Sequence, residues 1–198
     1  MKNVPFINLI GLLMYLSVAT RPDITYDVNF SSQFNNPGKE HWHAAKRIIR
    51  YLKGTQDQGL IYTKTGKPLI AFVDADWTSN VNDRKSYTGF VYILSGSAIT
   101  WESRKQRSVA LSSTEAEYSY MALSEAAKET VYLRRFLKEL SYNIEHPTTI
   151  YCDNQGAQKI TKNSVFHSRT KHIDIRHHFV REVYERGELD VQYIPTGS

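Results

Sequence analysis

Cysteine is almost missing from this 198-residue sequence, with Cys152 standing alone. A single thiol excludes an internal disulfide and a zinc cluster built on several thiolates, and it points to a reducing, intracellular setting. Long apolar runs are scarce too. The run over residues 9–18 is too short for a membrane span, which takes about 20 residues. Preceded by Lys2 and closed by Ser17-Val18-Ala19, it imitates a secretory leader. Against that reading, the helical pattern continues. Thr20 is placed to cap a helix whose first turn holds Pro22 and Asp23, so the chain is expected not to be secreted. Zinc-protease spacing is also lacking. Four of the seven histidines fall within residues 167–178 without an HExxH pair, so a basic or structural helix is the expectation there.

What is present is a mild excess of positive charge: +5 at pH 7 with a sequence pI near 9.2. That balance suits a polyanionic partner, although mixed charge along the chain is also a common solubility device. The length fits one large domain, or a domain of about 130 residues with an appendage. Asn35-Asn36-Pro37-Gly38 marks a turn. After it, Trp42, Ala45, Ile48, Ile49 and Leu52 recur at helical spacing until Lys53-Gly54. The opposite face carries His43, Lys46, Arg47 and Arg50, either as a solvated surface or as a track for phosphates.

The stretch Leu69-Ile-Ala-Phe-Val-Asp-Ala-Asp-Trp77 organises the remainder. A strand apolar on both faces belongs in the middle of a sheet covered on both sides. Carboxylates at its C-terminal end sit where open α/β sheets place their chemistry. Strand alternation puts Asp74 and Asp76 on one face, and acidic turn residues are the plainer reading. Strands are expected again over residues 89–94 and 98–101, joined at Ser95-Gly96, so that three strands form an antiparallel meander. A loop over residues 103–107, carrying three cations, then leads into a long helix that ends near Leu140. Its core face is expected to hold Tyr118, Ala122, Ala126, Leu133, Phe136, Leu137 and Leu140.

Glu115 and Glu117 open that helix. Ser112 with Glu115, and Thr114 with Glu117, both satisfy capping-box spacing, so the helical wheel does not say which glutamate is functional. Residues 148–153 form a second apolar strand, ending in Asp153. If it runs parallel to the first after a helical crossover, Asp153 emerges beside Asp74. A short helix after Asn154-Gln155 and a last strand over residues 189–195 complete the reading.

Several motifs now fall into one order: Phe72-Val-Asp-Ala-Asp-Trp, Asp83-Arg-Lys-Ser, Trp101 with Lys105-Gln106, Leu111-Ser-Ser-Thr-Glu-Ala-Glu-Tyr118, Tyr151-Cys-Asp-Asn-Gln155 and the histidine-rich segment. Together they resemble the ribonuclease H domain of copia-type long-terminal-repeat retrotransposon Pol polyproteins. Thr20-Arg-Pro-Asp-Ile, Asn36-Pro-Gly-Lys-Glu-His-Trp42 and Arg50-Tyr-Leu-Lys-Gly54 resemble the tail of the adjoining reverse transcriptase. The polymerase's Tyr-x-Asp-Asp element is absent, which marks the sequence as a fragment of a larger polyprotein.

The resemblance implies an α/β fold, a mixed five-stranded sheet flanked by helices and preceded by a small helical segment. Residues 1–62 would be the helical, thumb- or connection-like tail of the reverse transcriptase, and residues 63–198 a ribonuclease H domain truncated at its C-terminus. It implies an endonuclease that hydrolyses the RNA strand of RNA–DNA hybrids during reverse transcription, in a cytoplasmic particle or nucleus, alongside the rest of the polyprotein and away from membranes. Asp74, Glu117 and Asp153 match the family's catalytic, metal-binding carboxylates. Glu117 is preferred to Glu115 because Ala116-Glu117-Tyr118 sits where related enzymes carry the acid.

Three convergent carboxylates need a counter-charge, and Mg²⁺, with Mn²⁺ as an alternative, supplies it in a two-metal scheme. Ser112, Ser113 and Asn154 are candidates for sensing 2′-hydroxyls, and Arg84, Lys85, Arg104, Lys105 and Arg107 for gripping phosphates. The family's fourth carboxylate, in an Ala-Asp-x-x-Thr-Lys context after the last strand, has no counterpart here. Attenuated cleavage, or a nucleic-acid-binding remnant with little turnover, is therefore the alternative to full activity.

Overall fold

The computed structural model describes residues 4–76, 86–106, 115–142, 144–162 and 171–195. The chain begins with helix α1 (Phe6–Ala19), a 3₁₀ turn (Pro22–Ile24), α2 (Thr25–Ser32) and α3 (Lys39–Gly54). On α1, Phe6, Ile10, Leu13 and Ser17 recur one turn apart and are buried. They meet Ile24, Val28, Ala45 and Ile48 in a core of their own. Thr20 does not cap the following helix as expected. Its N–H bonds the Leu16 carbonyl and closes α1, and Pro22 opens the 3₁₀ turn instead.

Arg21 locks this corner. Its guanidinium donates to Asp23 Oδ2 at 2.7 Å, to Thr55 Oγ1 at 2.6 Å and to the Thr55 carbonyl at 3.1 Å. The hydrogen bonds with Asp23 hold that carboxyl below its ordinary pKa of 3.8.

Beyond the linker lie β1 (Ile70–Asp76), β2 (Tyr87–Leu94), β3 (Ser97–Lys105), α4 (Glu115–Glu139), β4 (Thr148–Cys152), α5 (Gln155–Lys162), α6 (Lys171–Glu185) and β5 (Leu189–Tyr193). The strands form one sheet in the order β3-β2-β1-β4-β5. β1, β2 and β3 are antiparallel, whereas β4 and β5 run parallel to β1. This is the ribonuclease H fold. The β2–β3 hairpin turns through Ser95 and Gly96, both at positive φ (55° and 84°). A Cβ on Gly96 would be strained by that backbone and would stand 3.3 Å from Thr63 Oγ1, so glycine is favoured there.

Alternation along the strands sorts the sheet into two faces. Leu69, Ala71, Val73, Phe90, Tyr92, Ile150, Cys152, Leu189 and Val191 face α4 and α6 and form the main core with Ala122, Leu123, Ala126, Ala127, Val180 and Val183. Alanines on α4 let the helix approach the strands closely. Tyr92 carries its hydroxyl into this core, where it donates to the Ala126 carbonyl at 2.5 Å and pairs with Thr130 Oγ1.

The expected face of α4 holds at Ala122, Ala126, Leu133 and Leu137, but Phe136 and Leu140 are exposed. Phe136 lies at the margin of the buried arc and stacks on Tyr132 outside it, and Leu140 follows the last helical residue. Tyr118 falls outside the described side chains. On the opposite face of the sheet Phe72 and Tyr151 stack, with ring centroids 5.1 Å apart, and are only half-buried. The central strand is therefore covered by helices on one side, while its other side borders a cavity.

The helical unit is fastened to the antiparallel edge. Trp101 Nε1 donates to the Ser17 carbonyl at 2.7 Å, Tyr26 meets Tyr87 edge-on at 5.0 Å, and Asn29 Nδ2 donates to the Ser103 carbonyl. Gln33 bonds the Tyr87 hydroxyl and accepts from Lys105 Nζ at 3.1 Å.

Candidate active site

The parallel register of β1 and β4 sets Val73 opposite Cys152. The next residue in each segment is an aspartate, Asp74 within β1 and Asp153 directly after β4. Asp74 and Asp153 consequently leave the same end of the sheet and line one cavity of about 680 Å³, whose walls include Phe72, Tyr151, Trp101, Pro22 and Tyr26. Asp74 is exposed and Asp153 half-buried. Asp76 follows at the end of β1, paired in register with Tyr87; its side chain lies outside the described residues.

Cys152 senses both carboxylates. Burial pushes its thiol up to about 11, the negative charges of Asp153 and Asp74 add to that, and a backbone hydrogen bond at Asn154 opposes it. Cys152 thus lies within electrostatic reach of both carboxylates from the core side of the sheet.

Glu117 lies in the first turn of α4. One turn later Met121, then Glu125, line a cavity of about 300 Å³ with Thr88 and Phe90, and those two residues pair with Ala75 and Val73 of β1. The backbone at Glu117 therefore starts α4 over the carboxylate end of the sheet. The side chains of Glu115 and Glu117 lie outside the described residues. Among the described residues no group of three metal-ligating side chains forms.

No family model matches the chain. The retrovirus-related Pol polyprotein from transposon TNT 1-94 of Nicotiana tabacum is 46% identical, with 100% of this chain and 15% of that protein covered. The chain belongs to the Pol polyproteins of copia-type retrotransposons. It spans about 15% of that relative's length. The secreted RxLR effector protein 161 of Plasmopara viticola is also similar, 50% identical over 67% of this chain and 94% of that protein. Among solved structures, the foamy viral protease-reverse transcriptase in complex with RNA/DNA hybrid shares the fold, with 13% identity and a TM-score of 0.54 over 96% of this chain and 24% of that one.

In this Pol chain the expected cations are placed differently from a free loop. Arg104 and Lys105 belong to β3, which runs on to Lys105 because β2 begins at Tyr87 and pairs with it. Arg104 Nε contacts Glu102 Oε1 at 2.8 Å, and Lys105 reaches Gln33. Lys128 and Arg176 join the same polar cavity around Glu125, at 3.0 and 3.7 Å. Neither is visible as part of this cluster in the sequence, since they come from α4 and α6. Asn154 sits half-buried just after β4, and the Gln158 N–H bonds its carbonyl at 3.3 Å. Arg84, Lys85, Arg107, Ser112 and Ser113 lie outside the described residues. From Lys171 on, the histidine-rich segment belongs to α6, where His177 stacks on Tyr120 at 3.9 Å, as suits a structural helix. Sequence reasoning missed Pro22, Tyr26 and Trp101 as walls of the carboxylate cavity, because they come from separate elements with no motif in common.

Proposed function

We propose that this part of Pol is a ribonuclease H that hydrolyses the RNA strand of RNA–DNA hybrids, with Asp74, Glu117 and Asp153 as its catalytic carboxylates. The supporting observation is the β1–β4 register, which brings Asp74 and Asp153 to one cavity wall. The donor set suits a hard divalent cation: carboxylate oxygens lie at an open strand end, and the nearby cysteine is held as a neutral thiol. Mg²⁺, or Mn²⁺ in its place, supplies the positive charge that lets such carboxylates stay ionised beside a phosphodiester and activates the attacking water.

The chain's own groups do the rest. Asp74, Asp153 and Glu117 hold ligand oxygens at the strand and helix ends. Asn154, with Ser112 and Ser113, tests for a 2′-hydroxyl in the minor groove of the hybrid. Arg104, Lys105, Arg84, Lys85 and Arg107 grip phosphates. In this reading residues 1–62 are the reverse transcriptase tail and residues 63–198 the nuclease.

A 5′-labelled hybrid incubated with the chain, with and without Mg²⁺, tests the reading. Cleavage of the RNA strand that needs Mg²⁺ and disappears in Asp153→Asn supports it. Hybrid binding without cleavage at any Mg²⁺ concentration would instead identify a binding remnant.

A further inference from the structure

We propose that the cleft between α2 and α3 is a second nucleic-acid site, one that takes a single strand. The cleft is a cavity of about 1000 Å³. One wall is α3, whose sequence carries five lysines and arginines against one glutamate. Lys39, His43 and Arg47 follow one another at four-residue spacing and line the cavity. They form a row about 12 Å long at 1.5 Å per residue, long enough to meet successive phosphates of one strand. All three are exposed, and no ion pair ties them to another described residue.

The other surfaces are aromatic: Tyr26 and Phe30 from α2, and Tyr51 from the end of α3. Tyr26 and Tyr51 are about two-fifths exposed (39% and 44%), each with neighbours of its own: the Arg21 guanidinium lies 5.6 Å from the Tyr51 ring centroid, and Tyr26 meets Phe30 and Tyr87. Cations facing aromatic rings, here Lys39 and Arg47, are how proteins hold single strands, with phosphates on the cations and bases stacked on the rings. A duplex is about twice as wide as a strand and keeps its bases inside, so it has no use for the rings.

Three acids also line the cleft. Asp23 is neutralised by Arg21, which leaves Asp27 and Glu40 against the row and makes the affinity modest. Asp23 and Tyr26 line this cleft and also the cavity that holds Asp74 and Asp153. A strand leaving the carboxylate edge therefore runs past Tyr26 into the cleft. That continuity rests on the nuclease reading, whereas binding in the cleft does not.

The test uses the full chain in EDTA, which blocks metal-dependent cleavage, and fluorescence anisotropy with labelled (dT)12 and (rU)12. Both are expected to bind with similar Kd, since the contacts are to bases and phosphates. Lys39→Gln/Arg47→Gln should lower the slope of log K against log salt by about 1.4, at about 0.7 per phosphate of a single strand. Lys64→Gln/Lys67→Gln removes the same charge from the linker and should leave the slope nearly unchanged. Tyr51→Leu should weaken both oligonucleotides about tenfold through lost stacking.

The proposal is overturned if the wild type binds neither oligonucleotide, if the two charge variants shift the slope equally, or if a blunt 12-base-pair duplex binds as well and responds equally to the cleft variant. A strict requirement for the 2′-hydroxyl also overturns it. A chain that binds single strands but never cleaves hybrid fails as a nuclease and keeps its cleft. A chain that cleaves hybrid while the cleft variant binds strands unchanged does the reverse.

Discussion

Cys152 and Asp153 are adjacent, yet one belongs to the core and the other to the cavity, and their contrast makes the residue scale testable. The Cys152 thiol is shut away from solvent and raised to about 11. Alkylation by iodoacetamide at pH 8 is expected to be far slower in the native chain than in urea, read by mass spectrometry. Because the folded pKa lies above the ordinary 9.0, the associated stability is complete below pH 9 and is lost as pH rises toward 11. Cys152→Ser should flatten that alkaline decline in denaturant titrations, at some cost from the buried hydroxyl. At the carboxylates, Asp74→Asn and Asp153→Asn change charge with almost no change of shape. Each should cut hybrid cleavage at least a hundredfold in a gel assay with Tm nearly constant, and Asp76→Asn should cost much less. Equal losses at Asp74 and Asp76 would show that the wrong aspartate of β1 was chosen.

At the scale of elements, the corner built by Arg21 decides how the 3₁₀ turn meets the end of α3. Arg21 is buried to 8% exposure and is satisfied by Asp23 and Thr55. Arg21→Met strands both partners and should cost about 2 kcal/mol in urea unfolding. Since the Asp23 carboxyl is held below its ordinary 3.8 by the hydrogen bonds with Arg21, its contribution is present above that value. It is lost as pH falls through the depressed pKa. The acid limb of the stability profile should therefore be shallower in Arg21→Met than in the wild type.

For the whole molecule, the decisive contact is between two hydrophobic cores that the linker alone would leave independent. The Trp101 indole reaches the Ser17 carbonyl at the end of α1, and α2 grips Tyr87, Ser103 and Lys105 on the strands that face Asp74 and Asp76 across the sheet. Trp101→Phe keeps most of the apolar contact and removes one hydrogen bond. It should lower global stability by about 1 kcal/mol, and hydrogen exchange should quicken at the α1 C-terminus before it does in β4 or β5. Unchanged exchange at residues 16–20 would mean that the two cores are not coupled through this tryptophan.

Local pattern alone determined much of this chain. Apolar alternation and breakers set β1, β2, β4, β5 and α3 within a residue or two, because period and turn chemistry are properties of neighbouring residues. The same patterns placed Asp74 near the end of β1 and Asp153 directly after β4. Tertiary structure decided what neighbours cannot encode. The extension of β3 through Arg104 and Lys105 depends on hydrogen bonds to β2, and the exposure of Phe136 depends on which stripe of α4 the sheet accepts. Thr20 carried a capping signal, but packing used it to end one helix rather than begin the next. The meeting of Asp74 with Asp153, under a wall supplied by Pro22, Tyr26 and Trp101, required a parallel register across 78 intervening residues and the docking of a separate helical unit. Sequence specifies which groups stand at the ends of strands; only long-range pairing specifies which strand ends are neighbours.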